Sequence, residues 1–210
     1  MTASSRLAAV QDGIAAAARL VRRDPADVCL VAVSKTRSAH DIEALIAAGH
    51  RDFGESRVQE AESKWPALLE RYPDVRLHGI GRLQSNKAEA AVRLFHTIHS
   101  LDRPSLLEAL VAAGEKAGRF PQVFVQVNIG EEEQKLAAFL GEVRVSPLPL
   151  AGLMGIPPLG VEPSPYFALL AKLARRHDVT GLSMGMSGDY RAAVMLGATV
   201  VRVGSALFEH

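Results

Sequence analysis

The chain has 210 residues, enough for one substantial hydrophobic core, with 48% hydrophobic and 22% charged residues. The formal net charge is +1, and without a long basic run the composition gives no indication of nucleic-acid binding. No apolar run reaches the roughly 20 residues of a membrane span, so no membrane partner is expected. The single cysteine, Cys29, fits a reducing compartment, which favours a cytoplasmic protein.

The first 33 residues contain a helical pattern followed by a strand. Residues 1–23 carry apolar side chains at helical spacing and predict an N-terminal helix; their arginines leave a transit peptide as the alternative. Residues 28–33 are uniformly apolar, as in a strand buried on both faces. Lys35 follows this run at once. Partial burial would make its amine easier to deprotonate and so a nucleophile toward aldehydes, although an ordinary surface lysine with its stem on apolar surface is the alternative.

Strand and helix patterns then alternate to the end of the chain. Further strands are predicted at residues 51–55, 75–81, 96–101, 123–129, 148–156, 180–186 and 198–203. Helices are predicted at residues 39–50, 58–71, 83–95, 104–117, 131–145, 165–176 and 190–196, with a helical turn at 204–210. Eight such units predict an α/β fold, a (β/α)₈ TIM-type barrel spanning residues 1–210 as one domain, with the N-terminal helix packed on it. A doubly wound sheet is the alternative, but no Gly-x-Gly-x-x-Gly follows the first strand.

The last two predicted strand ends have the features of a phosphate site. Ser187-Gly188 precedes one helix, and Gly204-Ser205 precedes a short helical turn. Glycine lets a phosphate approach the backbone, and helix N-termini direct N–H groups toward it. Either glycine alone could be an ordinary turn residue, but loops after the last two strands are the usual phosphate site of such barrels.

A phosphate site together with a strand-end lysine points to pyridoxal 5′-phosphate, whose aldehyde would form a Schiff base with Lys35. Arg202 would then lie near the pyridine nitrogen and keep it unprotonated, because two cations repel each other. Arg202 could instead pair with a phosphate or carboxylate. A phosphosugar enzyme, in which Lys35 forms a Schiff base with the substrate, is a further alternative.

Short motifs along the chain carry a family resemblance. They are VAVSKT (31–36), DFGE (52–55), HGIGRLQSNK (78–87), IHSLD (98–102), QVNI (126–129), GLM (152–154), LSMGMS (182–187) and VRVG (201–204). In this order they closely resemble the pyridoxal phosphate homeostasis protein family, whose fold is similar to the N-terminal barrel of alanine racemase.

The resemblance implies roles for individual residues. Lys35 carries the cofactor, Arg202 faces the pyridine nitrogen, and Lys135 corresponds to a lysine that makes a secondary cofactor contact. Ser56 stands where the family commonly has asparagine. The expected cofactor-binding set, which contains no metal ligand, is Lys35, Ser56, His78, Asn128, Met186, Ser187, Gly188, Arg202, Gly204 and Ser205, with His78 and Asn128 lining the mouth.

The resemblance also implies a protein that binds, buffers or delivers pyridoxal phosphate with little or no turnover. Apo pyridoxal-phosphate enzymes are the expected recipients, and a monomer is expected. The alternative is an amino-acid racemase on the same barrel. Such racemases use a second domain and an acid/base tyrosine; we expect no second domain here, and none of Tyr72, Tyr166 and Tyr190 lies at a predicted strand end.

Overall fold

The structure is a computed structural model that describes residues 2–127 and 133–208. Eight parallel strands form a closed barrel in chain order, and the first strand pairs with the last. The strands are β1 Cys29–Val33, β2 Asp52–Glu55, β3 Arg76–Gly79, β4 Thr97–Leu101, β5 Gln122–Gln126, β6 Leu150–Met154, β7 Gly181–Ser183 and β8 Val200–Val203. The predicted (β/α)₈ barrel is therefore confirmed.

Helices connect the strands on the outside of the barrel. They are α1 Ala3–Leu20, α2 Ala39–Ala47, α3 Val58–Arg71, α4 Ala88–Leu94, α5 Pro104–Ala117, α6 Glu133–Val145, α7 Ser164–Arg176, α8 Tyr190–Met195 and α9 Ser205–Phe208. Two further segments, Pro25–Asp27 and Ser85–Lys87, are 3-10 turns. Within residues 2–127 and 133–208, no helix is long and apolar enough to cross a membrane.

Several predicted elements differ from the structure at their ends, and in two of them the local sequence gives the reason. The helix expected at residues 83–95 begins only at Ala88, since Ser85–Lys87 form a 3-10 turn; serine and asparagine compete with helical hydrogen bonding and favour such turns. The strand expected at residues 180–186 ends at Ser183. Gly185 has a φ of +94°, which a β-strand does not accommodate.

The core has an outer layer and a smaller inner layer. Leu30 and Ala32 of β1 belong to the layer between barrel and helices, whereas Val31 points inward with Phe124 and Met154. Successive side chains of a strand face opposite sides, and both sides are covered here. This explains the unbroken apolar run at residues 28–33.

The N-terminal helix packs on the end of the chain. α1 contacts α8 and α9, and the Arg6 Nε donates to the carbonyl of Leu207 at 2.7 Å. Gly13 makes this packing possible, because a methyl group there would lie 2.3 Å from the Tyr190 hydroxyl. The helix therefore supports the segment that contains the last two strand ends.

Candidate functional site

Lys35 lies in the turn that follows β1, and its side chain is exposed. The partial burial expected for this lysine is therefore not found, because the strand ends two residues earlier, at Val33. The next residue, Thr36, has a φ of +61°, which is rare for a β-branched residue. Its backbone N–H donates to the carboxylate of Glu60 on α3. The turn thus presents the amine of Lys35 to solvent on a constrained backbone.

A buried polar cluster anchors this turn from behind. Glu55, at the end of β2, is fully buried and accepts hydrogen bonds from the Ser34 hydroxyl at 2.7 Å and from the Trp65 Nε1 at 2.9 Å. Lys64 of α3 pairs with the same carboxylate at 2.7 Å and donates to the Ser34 carbonyl at 2.9 Å. The residue before Lys35 is therefore held through both its side chain and its backbone.

The loops after β7 and β8 are joined by a direct hydrogen bond. The backbone N–H of Gly204 donates to the Ser187 hydroxyl at 3.1 Å. A methyl group at Gly204 would lie 3.4 Å from the Cβ of Val33, the last residue of β1. The carboxyl ends of β1, β7 and β8 therefore meet at one place. Gly188 and Ser205 are exposed beside this junction.

The Ser187-Gly188 loop is supported from below by a glycine and an aspartate. A methyl group at Gly185 would lie 2.5 Å from the Cβ of Ala193, so only glycine fits there. The Met186 N–H donates to the Asp189 carboxylate at 2.6 Å, while the half-exposed Met186 side chain lies at the surface. Sequence reasoning did not select Gly185 or Asp189, although the Gly-Met-Ser-Gly-Asp run is a turn signal.

Arg202 is buried in the barrel interior, with 4% of its surface exposed. Its Nη1 donates to the Ser183 carbonyl at 2.8 Å and to the Ser183 hydroxyl at 2.5 Å, and its Nη2 donates to the Gly155 carbonyl at 3.3 Å. Burial lowers the pKa of Arg202 to about 10, opposed by the negative charge of Asp189. The guanidinium is therefore still a cation at neutral pH, below the junction of the strand ends.

His78, on β3, is buried, and both of its ring nitrogens have polar partners. Its Nε2 is 3.0 Å from the Asp52 carboxylate, at the beginning of β2, and its Nδ1 is 3.0 Å from the Nε2 of His99 on β4. Asp52 is the first residue of its strand, at the end opposite the carboxyl ends, so these partners hold the ring in the interior. The position of His78 at the mouth stays a prediction.

The remaining predicted residues have separate positions. Ser56 is half-buried directly after β2. Its carbonyl packs closely on Gly81, since a methyl group added to Gly81 would lie 2.2 Å from the Ser56 carbonyl oxygen. Lys135 is exposed on α6. Asn128 lies outside the described residues.

Comparison with known proteins identifies the family. The alanine racemase N-terminal domain family matches residues 6–210. The pyridoxal phosphate homeostasis protein of Synechocystis sp. is 42% identical over 201 residues, covering 88% of this chain and 92% of the relative. The chain belongs to the pyridoxal phosphate homeostasis protein family. The Escherichia coli K12 member of this family is 36% identical over 221 residues, covering 96% of this chain and 94% of the relative.

Solved structures agree with this assignment. PipY of Synechococcus elongatus PCC7942, solved with PLP bound, superposes with a TM-score of 0.86 at 39% identity, covering 98% of this homeostasis family member and 99% of PipY. Alanine racemase of Clostridium difficile 630 superposes with a TM-score of 0.68 at 14% identity, covering 95% of this chain and 56% of the racemase. The racemase therefore shares the barrel fold alone.

Proposed function

We propose that this family member binds pyridoxal 5′-phosphate covalently through Lys35 and serves to buffer and deliver the cofactor, with little or no turnover. The names of its relatives and the PLP bound to PipY support this proposal. The supporting observation in this chain is the junction of the three strand ends. It brings the Ser187 hydroxyl and the Gly204 backbone close to the turn that carries Lys35.

The donor set at the junction fits the chemistry of the cofactor. Serine hydroxyls and open glycine backbone are suited to phosphate, and the exposed Lys35 amine is suited to an aldehyde. The phosphate is assigned to Ser187, Gly188, Gly204 and Ser205. In its uncharged form, the Lys35 amine would attack the aldehyde carbon, forming a C=N bond and releasing one water.

Arg202 is assigned to the pyridine nitrogen. Its Nη1 hydrogens are both used by Ser183, and among the residues that the structure describes neither Nε nor the second Nη2 hydrogen has an acceptor. These hydrogens are available to a ring nitrogen. A cation at that position disfavours ring protonation, and when bound the cofactor supplies its strongest electron sink only as a pyridinium. We assign Ser56 and Met186 to the rim, while Asn128 remains a predicted contact.

The positions of the tyrosines do not favour the racemase alternative. Tyr72 follows α3, Tyr166 lies within α7, and the buried Tyr190 begins α8 with its hydroxyl close to Gly13. None lies at a strand end, where an acid/base group would face the reacting carbon. Steady solvent-deuterium exchange at the α-carbon of alanine or serine, at enzymatic rates, would contradict the non-catalytic part of the proposal.

Chemical fixation tests the covalent link. The purified protein should be yellow, and borohydride reduction followed by peptide mass spectrometry should place the cofactor adduct on Lys35. Lys35→Ala should abolish the adduct, whereas Lys172→Ala, at an exposed position of α7, should retain it. The proposal would be contradicted if the protein were colourless and took up no added cofactor. It would also be contradicted if a colourless protein formed the adduct only with a phosphosugar substrate, as an aldolase does.

Recipients, oligomeric state and location are also proposed. Transfer of the cofactor to an apo pyridoxal-phosphate enzyme should be faster from the loaded protein than from the free cofactor at equal concentration. Sedimentation equilibrium should give the monomer mass of 22.5 kDa. The cytoplasmic location remains a prediction, to be checked by fractionation of the source cells.

A further inference from the structure

A continuous line of hydrogen bonds crosses the barrel interior from Arg202 to Asp52. Arg202 donates to the Ser183 hydroxyl at 2.5 Å, and the Ser183 hydroxyl is 2.8 Å from the Nδ1 of His99. The Nε2 of His99 is 3.0 Å from the Nδ1 of His78, whose Nε2 is 3.0 Å from Asp52. The five residues come from β8, β7, β4, β3 and β2, so the line runs from below the mouth to the opposite end.

The chemistry of the groups gives this line one direction. A guanidinium has no acceptor, so the Ser183 oxygen must accept from Arg202. The Ser183 hydroxyl is completely buried, and its own hydrogen then needs an acceptor, which the Nδ1 of His99 provides. If Nδ1 of His99 carried the hydrogen instead, Ser183 would receive two donors and its own hydrogen would lose this acceptor.

The same logic continues through both imidazole rings. With Nδ1 bare, a neutral His99 carries its hydrogen on Nε2 and donates it to the Nδ1 of His78. A neutral His78 then carries its hydrogen on Nε2 and donates it to the Asp52 carboxylate. Every link points from the cation to the anion, an arrangement in which successive hydrogen bonds polarise and strengthen one another.

Burial and packing keep the central ring in place and uncharged. His99 is fully buried and stacks on Phe124, with ring centroids 4.6 Å apart and an interplanar angle of 13°. The pKa of His99 is well below its usual value, mainly because the ring is buried and in addition because Arg202, a cation, and His78 lie nearby. Asp52 receives a second partner in Arg76, whose Nε lies 3.0 Å from its Oδ1.

We propose that four positioning residues, Ser183, His99, His78 and Asp52, form one directed hydrogen-bond chain. Both histidines are neutral and protonated on Nε2. This hydrogen-bond chain fixes the orientation of the Arg202 guanidinium toward the cofactor ring. The orientation of Arg202 toward a cofactor ring rests on the proposed function. The chain works through Ser183, whose carbonyl and hydroxyl together occupy both Nη1 hydrogens. The guanidinium cannot rotate about its Cζ–Nε bond without breaking both bonds.

Histidine tautomers test the hydrogen-bond chain without any cofactor. Protein labelled with ¹⁵N-histidine should show, near neutral pH, two neutral rings protonated on Nε2, which disappear from the spectra of His99→Phe and His78→Phe respectively. Phenylalanine retains a ring to stack on Phe124. A His99 protonated on Nδ1, or a charged His99, would overturn the proposal. The wild-type spectrum decides the tautomers. If the His78 or His99 variant fails to fold, variants of the other histidines assign their signals and leave those of His78 and His99 by elimination.

Arginine side-chain spectra test the link to Arg202. In the cofactor-free wild type, the two Nη signals of Arg202 should be resolved by slow rotation, and Ser183→Ala should average them. Thr97→Val is the matched control, since Thr97 is buried on β4 and has no hydrogen bond to the chain among the described residues. An unchanged Arg202 spectrum in folded Ser183→Ala would overturn the proposal.

Cofactor binding supplies the last readout. Ser183→Ala should weaken the equilibrium binding of pyridoxal phosphate about tenfold and shift the absorption maximum of the bound cofactor, whereas Thr97→Val should do neither. Unchanged affinity and spectrum in Ser183→Ala would overturn the assigned role toward the ring. If the wild type binds no pyridoxal phosphate, the proposed function fails. The histidine and arginine spectra still decide whether the hydrogen-bond chain exists.

Discussion

Glu55 and Lys64 form a nearly buried ion pair, with 2.7 Å between Oε1 and Nζ, directly behind the turn that carries Lys35. The carboxylate of Glu55 is fully buried, so it depends on Lys64 to balance its charge. Lys64 also holds the carbonyl of Ser34. The pair therefore contributes both to stability and to the position of the residue that we propose binds the cofactor.

Lys64→Met should lower the free energy of unfolding by about 3–5 kcal/mol, because it leaves a buried carboxylate without its counter-ion. Urea denaturation measures this change. Lys116→Met is the matched control: it removes the same kind of ion pair, 2.9 Å from Glu89, at an exposed site, and should leave stability nearly unchanged. Equal losses in the two variants would contradict this account of Lys64.

Two glycines of the loop after β7 should respond differently to alanine. Gly185→Ala should lower the free energy of unfolding by about 1–3 kcal/mol, because φ is +94° and the methyl group would meet Ala193. Gly188→Ala should leave stability nearly unchanged, since nothing lies within 4 Å of the added carbon. It should nevertheless weaken cofactor binding, because the methyl group would enter the space assigned to phosphate. Tight cofactor binding by Gly188→Ala would contradict that assignment.

Asp52 should make stability depend on acid pH. Burial raises the pKa of Asp52, but hydrogen bonds from His78 and Arg76, together with the positive charge of Arg76, outweigh burial and bring this pKa to about 2, below the ordinary 3.8. Ionised Asp52 therefore stabilises the folded protein above about pH 4, and this contribution is lost as the pH falls toward 2. The stability difference between wild type and Asp52→Asn should shrink over that interval. A difference that is constant with pH would contradict the assignment.

Cys29 should react slowly in the folded protein. Burial, followed by the charge of Asp52, raises the pKa of the Cys29 thiol to about 12, so little thiolate is present at pH 8. Alkylation by iodoacetamide at this pH should be at least about a hundredfold slower in the native protein than in urea. Similar rates in the two states would show that the thiol is accessible and ionised.

Much of the fold was predictable from local patterns. The boundaries of α3 and α5 agree with the sequence prediction at both ends, since apolar spacing and a leading Pro104 are local signals. The alternation of strands and helices predicted the barrel, because parallel strands require crossover helices. The sequence also predicted that the turn with Lys35 lies near the ends of the last two strands, since the carboxyl ends of all strands in a barrel lie on one face.

The sequence by itself therefore determined the barrel and the strand ends that face its mouth. Only the tertiary structure decided that Lys35 is exposed, that Lys64 reaches Glu55, and that His78 joins a line of interior groups. Periodicity encodes which side of an element is buried, but it does not state which inward side chains meet. That depends on strand register and closure, which bring His99 and Ser183 within 2.8 Å although 84 positions separate them in the chain.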